Sequence, residues 1–274
     1  AARARLAGNG CRRAGQSSWP ARRQACAASW HRSCGSGGGR VDHHRRGRAL
    51  ELRFFEIYRD AEYLTVLAEG ALVSVLLTIG GGAVGLGLAM ALAAAQFARV
   101  PVLHPLASAY VEFIRNTPLI VQLFFVTFGL PLLLGYRWPF WAHAWLAFSL
   151  NFSAYFAAII RSGLDNFSRG QFEAARALGI SYWRALLRLA YPQALAHVYP
   201  SLNSQFIFLF LTTGVVSQIG VQDLTWAGLY VDARTFRSFE VFIVLTIVYV
   251  LIALAFKALL ARAQDALFPW WQAR

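Results

Sequence analysis

Lysine is almost missing from this chain. Among 274 residues Lys257 is the only one, in Phe256-Lys257-Ala258 within an apolar run. A phosphate-cradling loop of the Gly-Lys-Ser/Thr kind needs a lysine directly after a glycine, so the sequence contains no such nucleotide site. Cysteine is scarce as well. Cys11, Cys26 and Cys34 all fall in the first 50 residues, so the remaining chain has no disulfide framework. Methionine occurs once, at Met90. No paired-carboxylate, Ser-His-Asp or Gly-x-Ser-x-Gly constellation is present, which removes the common hydrolase chemistries. His104, His143 and His197 are scattered and read as interface or packing residues rather than catalytic ones. Charge is thin too, with 14% charged residues against 57% hydrophobic ones. That balance excludes an ordinary soluble domain and fits a polytopic membrane protein.

The net charge of +13 is a property of one segment. Eleven arginines lie in residues 1–50, from Arg3 to Arg48, so the overall charge implies no nucleic-acid partner. The segment is rich in Ala, Ser and Gly, includes Gly37-Gly38-Gly39, and has no periodic apolar pattern. It is expected to be disordered. It lacks the apolar core of a signal peptide. Cys26, His31, Cys34, His43 and His44 match no standard zinc spacing, so no metal site is expected. The composition breaks abruptly near Leu50. One reading is therefore that residues 1–50 are upstream DNA translated from a wrongly assigned start.

What is present in abundance is long apolar runs. Residues 51–69 carry scattered charges and read as an amphipathic lead-in helix at an interface. Residues 71–95 are uncharged and long enough to cross about 30 Å of hydrocarbon. Gly81, Gly82, Ala83, Gly85, Gly87 and Ala89 would let a neighbouring helix approach closely. Further spans are expected near residues 118–135, 140–160, 202–221 and 241–260, with a short segment over 104–115 and a loop over 222–240. Asn116 or Thr117 is expected to cap the second span, with Pro118 in its first turn. Glu112 and Arg115, three apart on one face, are expected to form a local ion pair, with a substrate role as the alternative. Asn151, Tyr155, Thr212, Thr213, Ser217 and Gln218 place polar groups inside spans, where such groups face the protein interior or a water path. The alternative for the hydroxyls is a bond back to the preceding helical turn. The fold class is all-α, with about five transmembrane helices. The domains are a tail over 1–50, a membrane domain over 51–268 with an intervening loop over 165–197, and a C-terminal tail over 269–274.

That loop carries the most ordered pattern in the chain. Glu173 to Leu178 are good helix formers, Gly179 is a helix stop, and Ser181 is placed to cap a second short helix. Glu173-Ala174-Ala175, Gly179, Leu189 and Pro192 stand at fixed offsets. They resemble the EAA loop of ABC-importer permeases, with Tyr191 where Leu is usual. Arg115-Asn116-Thr117-Pro118, followed by apolar residues and Gln122, is similar to a second signature, that of the polar amino-acid permease group. Two positions depart from that group: Ala158 stands where an acidic residue is common, and Leu211-Thr212-Thr213-Gly214 where Lys-Asp-Thr-Ser is frequent.

The resemblance implies an ABC-importer permease of the plasma (inner) membrane of a bacterium, not itself an enzyme. The 170–192 loop would lie inside, docking by Glu173, Ala174, Ala175, Gly179, Leu189 and Pro192 to a separate ATP-binding subunit that holds ATP and Mg. A second permease subunit, identical or homologous, and an external solute-binding protein would complete the assembly. With that loop inside, the arginine bias places the C-terminus inside and Arg53 and Arg59 outside, the latter against the positive-inside rule. A secondary transporter and a structural membrane protein are the other classes that the apolar runs allow.

Overall fold

The computed structural model describes residues 60–270. The expectations for the 1–50 tail and its Cys and His residues, for the lead-in over 51–59 with Arg53 and Arg59, and for residues 271–274 lie outside the described residues. Among the described residues eight helices follow one another: Ala61–Phe97 (α1), Leu103–Arg115 (α2), Leu119–Leu134 (α3), Phe140–Asp165 (α4), Arg169–Ala177 (α5), Tyr182–Ile219 (α6), Leu224–Thr235 (α7) and Ser238–Leu267 (α8). Helices α1, α4, α6 and α8 are each long and apolar enough to cross a membrane. The pair α2–α3, bent by 106° at its break, makes a fifth crossing when counted as one.

Helix α4 is the centre of the bundle. Phe148, Phe152, Phe156, Ile160 and Leu164 recur every fourth residue and are fully buried. Lipid tails are as apolar as these side chains, so what holds the helices together here is close packing rather than transfer out of water. Helix α1 lies along α4 through bare backbone. A Cβ on Gly81 would stand 3.1 Å from Phe148 Cβ, and one on Gly85 3.3 Å from the Ser149 carbonyl. Gly82 faces Phe206 of α6 in the same way. Ala83 and Gly87 are exposed, and nothing stands within 4 Å of Gly87, so these two of the expected small residues take no part in this packing.

The contacts also give direction. Along α1 and α4 they advance together, whereas Gly163 meets Ala194 and Phe156 meets Phe206, so α6 runs back. Tyr199 donates to the Leu260 carbonyl and Phe210 packs on Phe256, which turns α8 back again. The start of α1 and the end of α8 therefore lie at opposite ends of the bundle.

Several boundaries differ from those expected. Helix α1 begins at Ala61 and absorbs the described part of the lead-in. Its Gly70 does not break it, because that glycine is where the backbone of Asp223 approaches (2.7 Å from an added Cβ). Helix α6 begins at Tyr182, not near residue 202, and Pro200 lies inside it. The second short helix expected after Gly179 is thus the first turn of a membrane span. The expected 222–240 loop contains α7, whose N-cap Asp223 accepts from the backbone N–H groups of Thr225 and Trp226. Helix α8 extends from Ser238 to Leu267 at both ends of the expected span.

Two π-turns share one cause. Phe125–Gly129 precedes Pro131, and Leu186–Ala190 precedes Pro192. Proline has no N–H and its ring clashes with the carbonyl four residues back. Widening the preceding turn by one residue removes that clash while keeping the helix continuous.

Candidate functional site

The break between α2 and α3 forms the first part of the site. Neither Asn116 nor Thr117 caps α3, contrary to expectation. The Asn116 amide donates to the Glu112 carbonyl and the Thr117 hydroxyl to the Phe113 carbonyl, so both close the end of α2. Pro118, extended at ψ 135°, is the residue before α3 rather than in its first turn. Proline disfavours a helical conformation in the residue before it, which ends α2 there. Buried Gln122 then ties the two halves. Its amide donates to the carbonyls of Ile114 (2.8 Å) and Thr117 (3.1 Å), and its oxygen accepts from Asn151 on α4 (2.9 Å). The backbone carbonyls freed at a broken membrane helix need partners of this kind.

A cavity of about 390 Å³ opens at this break. Its polar wall is Arg115, Asn116, Thr117, Asn151, Tyr155 and Thr212, and its apolar wall is Pro118, Leu119 and Phe208. Asn151 and Tyr155 sit near the middle of α4, so the cavity lies at membrane depth. The size suits a small ligand.

The structure brings Asn151, Tyr155 and Thr212 to this cavity, but not the other three candidates. Thr213 is buried and its hydroxyl donates to the Phe210 carbonyl. Ser217 donates to the Gly214 carbonyl, and the Gln218 amide to the Ser217 hydroxyl. Thr212 also donates back, to the Phe208 carbonyl. The bond to the preceding turn is thus the rule for these hydroxyls.

The expected ion pair of Glu112 and Arg115 does not form. Arg115 makes no ion pair among the described residues and instead lies over the Tyr155 ring, 5.6 Å from its centre. Sequence reasoning placed a substrate role for this residue second to the ion pair. The signal was the adjoining Asn116-Thr117-Pro118, which ends α2 at Arg115 and aims it into the break.

The second part of the site is α5, at the far end of α4. Phe172 anchors it, packing on Phe97 at the end of α1 (5.9 Å), on Phe167 (5.1 Å) and on Tyr182 at the start of α6 (5.4 Å). The Gln193 amide donates to Gln171 across the same junction (3.2 Å). Ala175 is buried, while Glu173, Ala174, Arg176 and Ala177 face outward. Gly179 ends the helix at φ +76°, with its N–H on the Arg176 carbonyl and the Ile180 N–H on the Ala175 carbonyl. This paired closure requires a left-handed residue and so favours glycine. Beyond it Leu178 is 79% exposed, and Tyr182, Trp183 and Leu187 are exposed beside it. Leu189 is exposed as well, and Pro192 is half-buried behind the π-turn. Exposed apolar patches of this kind mark protein- or membrane-interaction surfaces. Among the described residues no three His, Cys, Asp or Glu converge as for a metal ion.

A bundle of four long apolar helices and one broken pair, with a polar cavity at the break and an exposed helix at one end, defines a membrane permease. Residues 83–271 match the family of binding-protein-dependent transport system inner membrane components, and the chain belongs to that family. It is a permease of the ABC-importer type. It is 35% identical to the L-cystine transport system permease protein TcyL of Bacillus subtilis (strain 168) over 180 residues, covering 63% of this chain and 75% of that one. It is 33% identical to the arginine transport system permease protein ArtQ of the same organism, covering 69% and 86%. A crystal structure of an amino acid ABC transporter with histidines superposes with a TM-score of 0.68 at 30% identity, over 78% of this chain and 98% of that one. An inward-facing MetNI methionine ABC transporter shares the fold at 17% identity, with a TM-score of 0.66 over 76% and 99%.

Proposed function

We propose that this chain is the pore-forming subunit of an ATP-driven importer of polar amino acids in the plasma (inner) membrane of a bacterium. It works beside a second permease subunit, identical or homologous. ATP-binding subunits sit at the α5 end, and a solute-binding protein docks at the opposite end. The chain itself binds no cofactor; ATP and Mg belong to the partner, in keeping with the lack of a phosphate-loop lysine. The observation that carries this reading is α5, pinned by Phe172 while Glu173, Ala174 and Leu178 face outward.

In this role ATP binding closes the ATPase pair and moves α5. Because Phe172 touches the ends of α1 and α6 at once, motion of α5 is passed to two membrane helices together. The cavity at the α2–α3 break then opens to one side and the other in turn. The differential contact of α5 with the two nucleotide states is what biases the equilibrium. The names of the relatives support amino acids as the cargo.

Capture of the ATPase subunit by the full chain, and by a Glu173→Ala plus Gly179→Pro variant, tests the reading. The variant is expected to insert normally while losing ATPase association or ATP-driven uptake. Unchanged association together with unchanged uptake would remove α5 as the docking element.

A further inference from the structure

The charges around the central cavity narrow its cargo. Among the described residues Arg115 is the one ionisable cation on its wall, and no Asp or Glu lines it. The other charged pairs described in the chain are closed: Arg161 with Asp165, Arg234 with Glu62 and Arg237 with Glu240. They lie at helix ends, the first two exposed to water and the third largely buried. Arg115 is at membrane depth, and among the described residues the Tyr155 ring is what its guanidinium lies over. Ionisable groups at that depth ordinarily pair. Glu112 is the nearest acid along the chain, and it neither lines the cavity nor pairs with Arg115. Asp165 is already engaged by Arg161, and Glu173 stands outward on α5. The remaining polar wall of Asn116, Thr117, Asn151 and Thr212 is neutral.

We propose that Arg115 receives the α-carboxylate of an amino acid, and that the acid-free wall restricts the cargo to neutral or acidic side chains and rejects cationic ones. This rests on the amino-acid reading above and specifies it. A carboxylate satisfies the guanidinium by a bidentate, charge-assisted bond. A lysine or arginine side chain in the same cavity brings a second positive charge near Arg115 with no acid to receive it. At ~7 Å and an effective dielectric of ~20, that repulsion corresponds to a discrimination of at least about tenfold. Asn151 is held by Gln122, which is in turn held by the break, so the neutral side of the wall is fixed in place.

The test uses the complete transporter in lipid nanodiscs, nucleotide-free and without its solute-binding protein, so that the permease alone selects. Tritiated glutamine is the reporter; unlabelled glutamine, glutamate, arginine and lysine are the competitors. Arginine and lysine are expected to compete at least about tenfold more weakly than glutamine, with glutamate at least equal to it. Thr212→Asp, which adds a carboxylate to the wall, is expected to abolish or reverse that gap. Arg115→Gln is expected to weaken glutamine and glutamate together, read beside the size-exclusion profile to verify folding. Equal competition by arginine in the native protein, or an unchanged gap in Thr212→Asp, overturns the proposal. Absent glutamine binding with ATP-driven amino-acid uptake intact overturns this cavity assignment alone. Absent binding together with no ATP-driven uptake of any amino acid overturns the importer reading as well.

Discussion

Gly179 and Gly163 are both glycines near the α5 end, yet they are required for opposite reasons, and this separates coupling from stability. Gly179 has a positive φ of +76° and open space around it, with nothing within 4 Å of an added Cβ. Gly163 has no such backbone demand, but a Cβ there would meet the Ala194 carbonyl at 2.9 Å and Val198 Cγ1 at 2.8 Å. Gly179→Ala therefore costs about 1 kcal/mol of left-handed strain, confined to the end of α5. That changes the population of closed α5 about fivefold. Gly179→Asn costs less, because asparagine tolerates this conformation, and Gly179→Val costs more, because branching at Cβ makes it worse. Gly163→Ala instead overpacks the α4–α6 seam at about 1–3 kcal/mol. The assay pairs thermal unfolding of the purified transporter with substrate moved per ATP hydrolysed in vesicles. The Gly179 series is expected to lower the transport-to-hydrolysis ratio in the order Asn, Ala, Val with little change in Tm. Gly163→Ala is expected to lower Tm. Equal damage from Asn and Val at position 179, or a Tm loss from Gly179→Ala matching that of Gly163→Ala, would refute the reasoning.

Two further expectations follow from single side chains. Phe172→Ala removes three ring contacts, each worth about 0.5–1.5 kcal/mol. Hydrogen exchange over residues 168–180 is expected to accelerate while α4 stays protected; unchanged exchange would show that the ring is not the anchor. Asp223 is buried at the start of α7, and burial pushes its carboxyl from 3.8 up to about 6 despite the N–H groups that oppose the shift. Relative to the unfolded chain, the fold thus favours the protonated form. The stability this brings is complete below about pH 4 and is lost as pH rises through about 6, a difference on the order of 3 kcal/mol. Unfolding temperature is expected to rise between pH 7.5 and 5.5, and Asp223→Asn, which retains a capping oxygen, to flatten that rise. A native protein with no change across this range would contradict it.

Much of the bundle was legible because a membrane span is an extreme composition. Residues 71–95 and 241–260 could hardly be anything else, and the helix stop at Gly179 follows from the one residue type suited to a left-handed closure. The boundaries were less legible wherever local chemistry and tertiary support disagree. Arg184 and Arg188 fall within the expected 165–197 loop, yet both stand exposed on a continuous helix. Pro192 and Pro200 look like breaks, yet a π-turn absorbs the first and the helix runs through the second. The α2–α3 bend and the cavity beneath it depend on Gln122 reaching Ile114 and Asn151, contacts set by three-dimensional proximity and not by spacing. Arg115 was misjudged because the i,i+3 rule sees only neighbours on its own helix.

The wide turn at Leu186–Ala190 fixes more than a proline. One residue beyond the regular count rotates everything downstream by about 100° around the helix axis. Thr212 reaches the cavity, and Thr213 the buried side, only in the phase that this extra residue sets. Deleting any one residue of the turn would leave every codon after it in frame and every side chain after it facing elsewhere. The angular setting of the cavity wall is therefore written some twenty residues before it, beside the exposed face of α5.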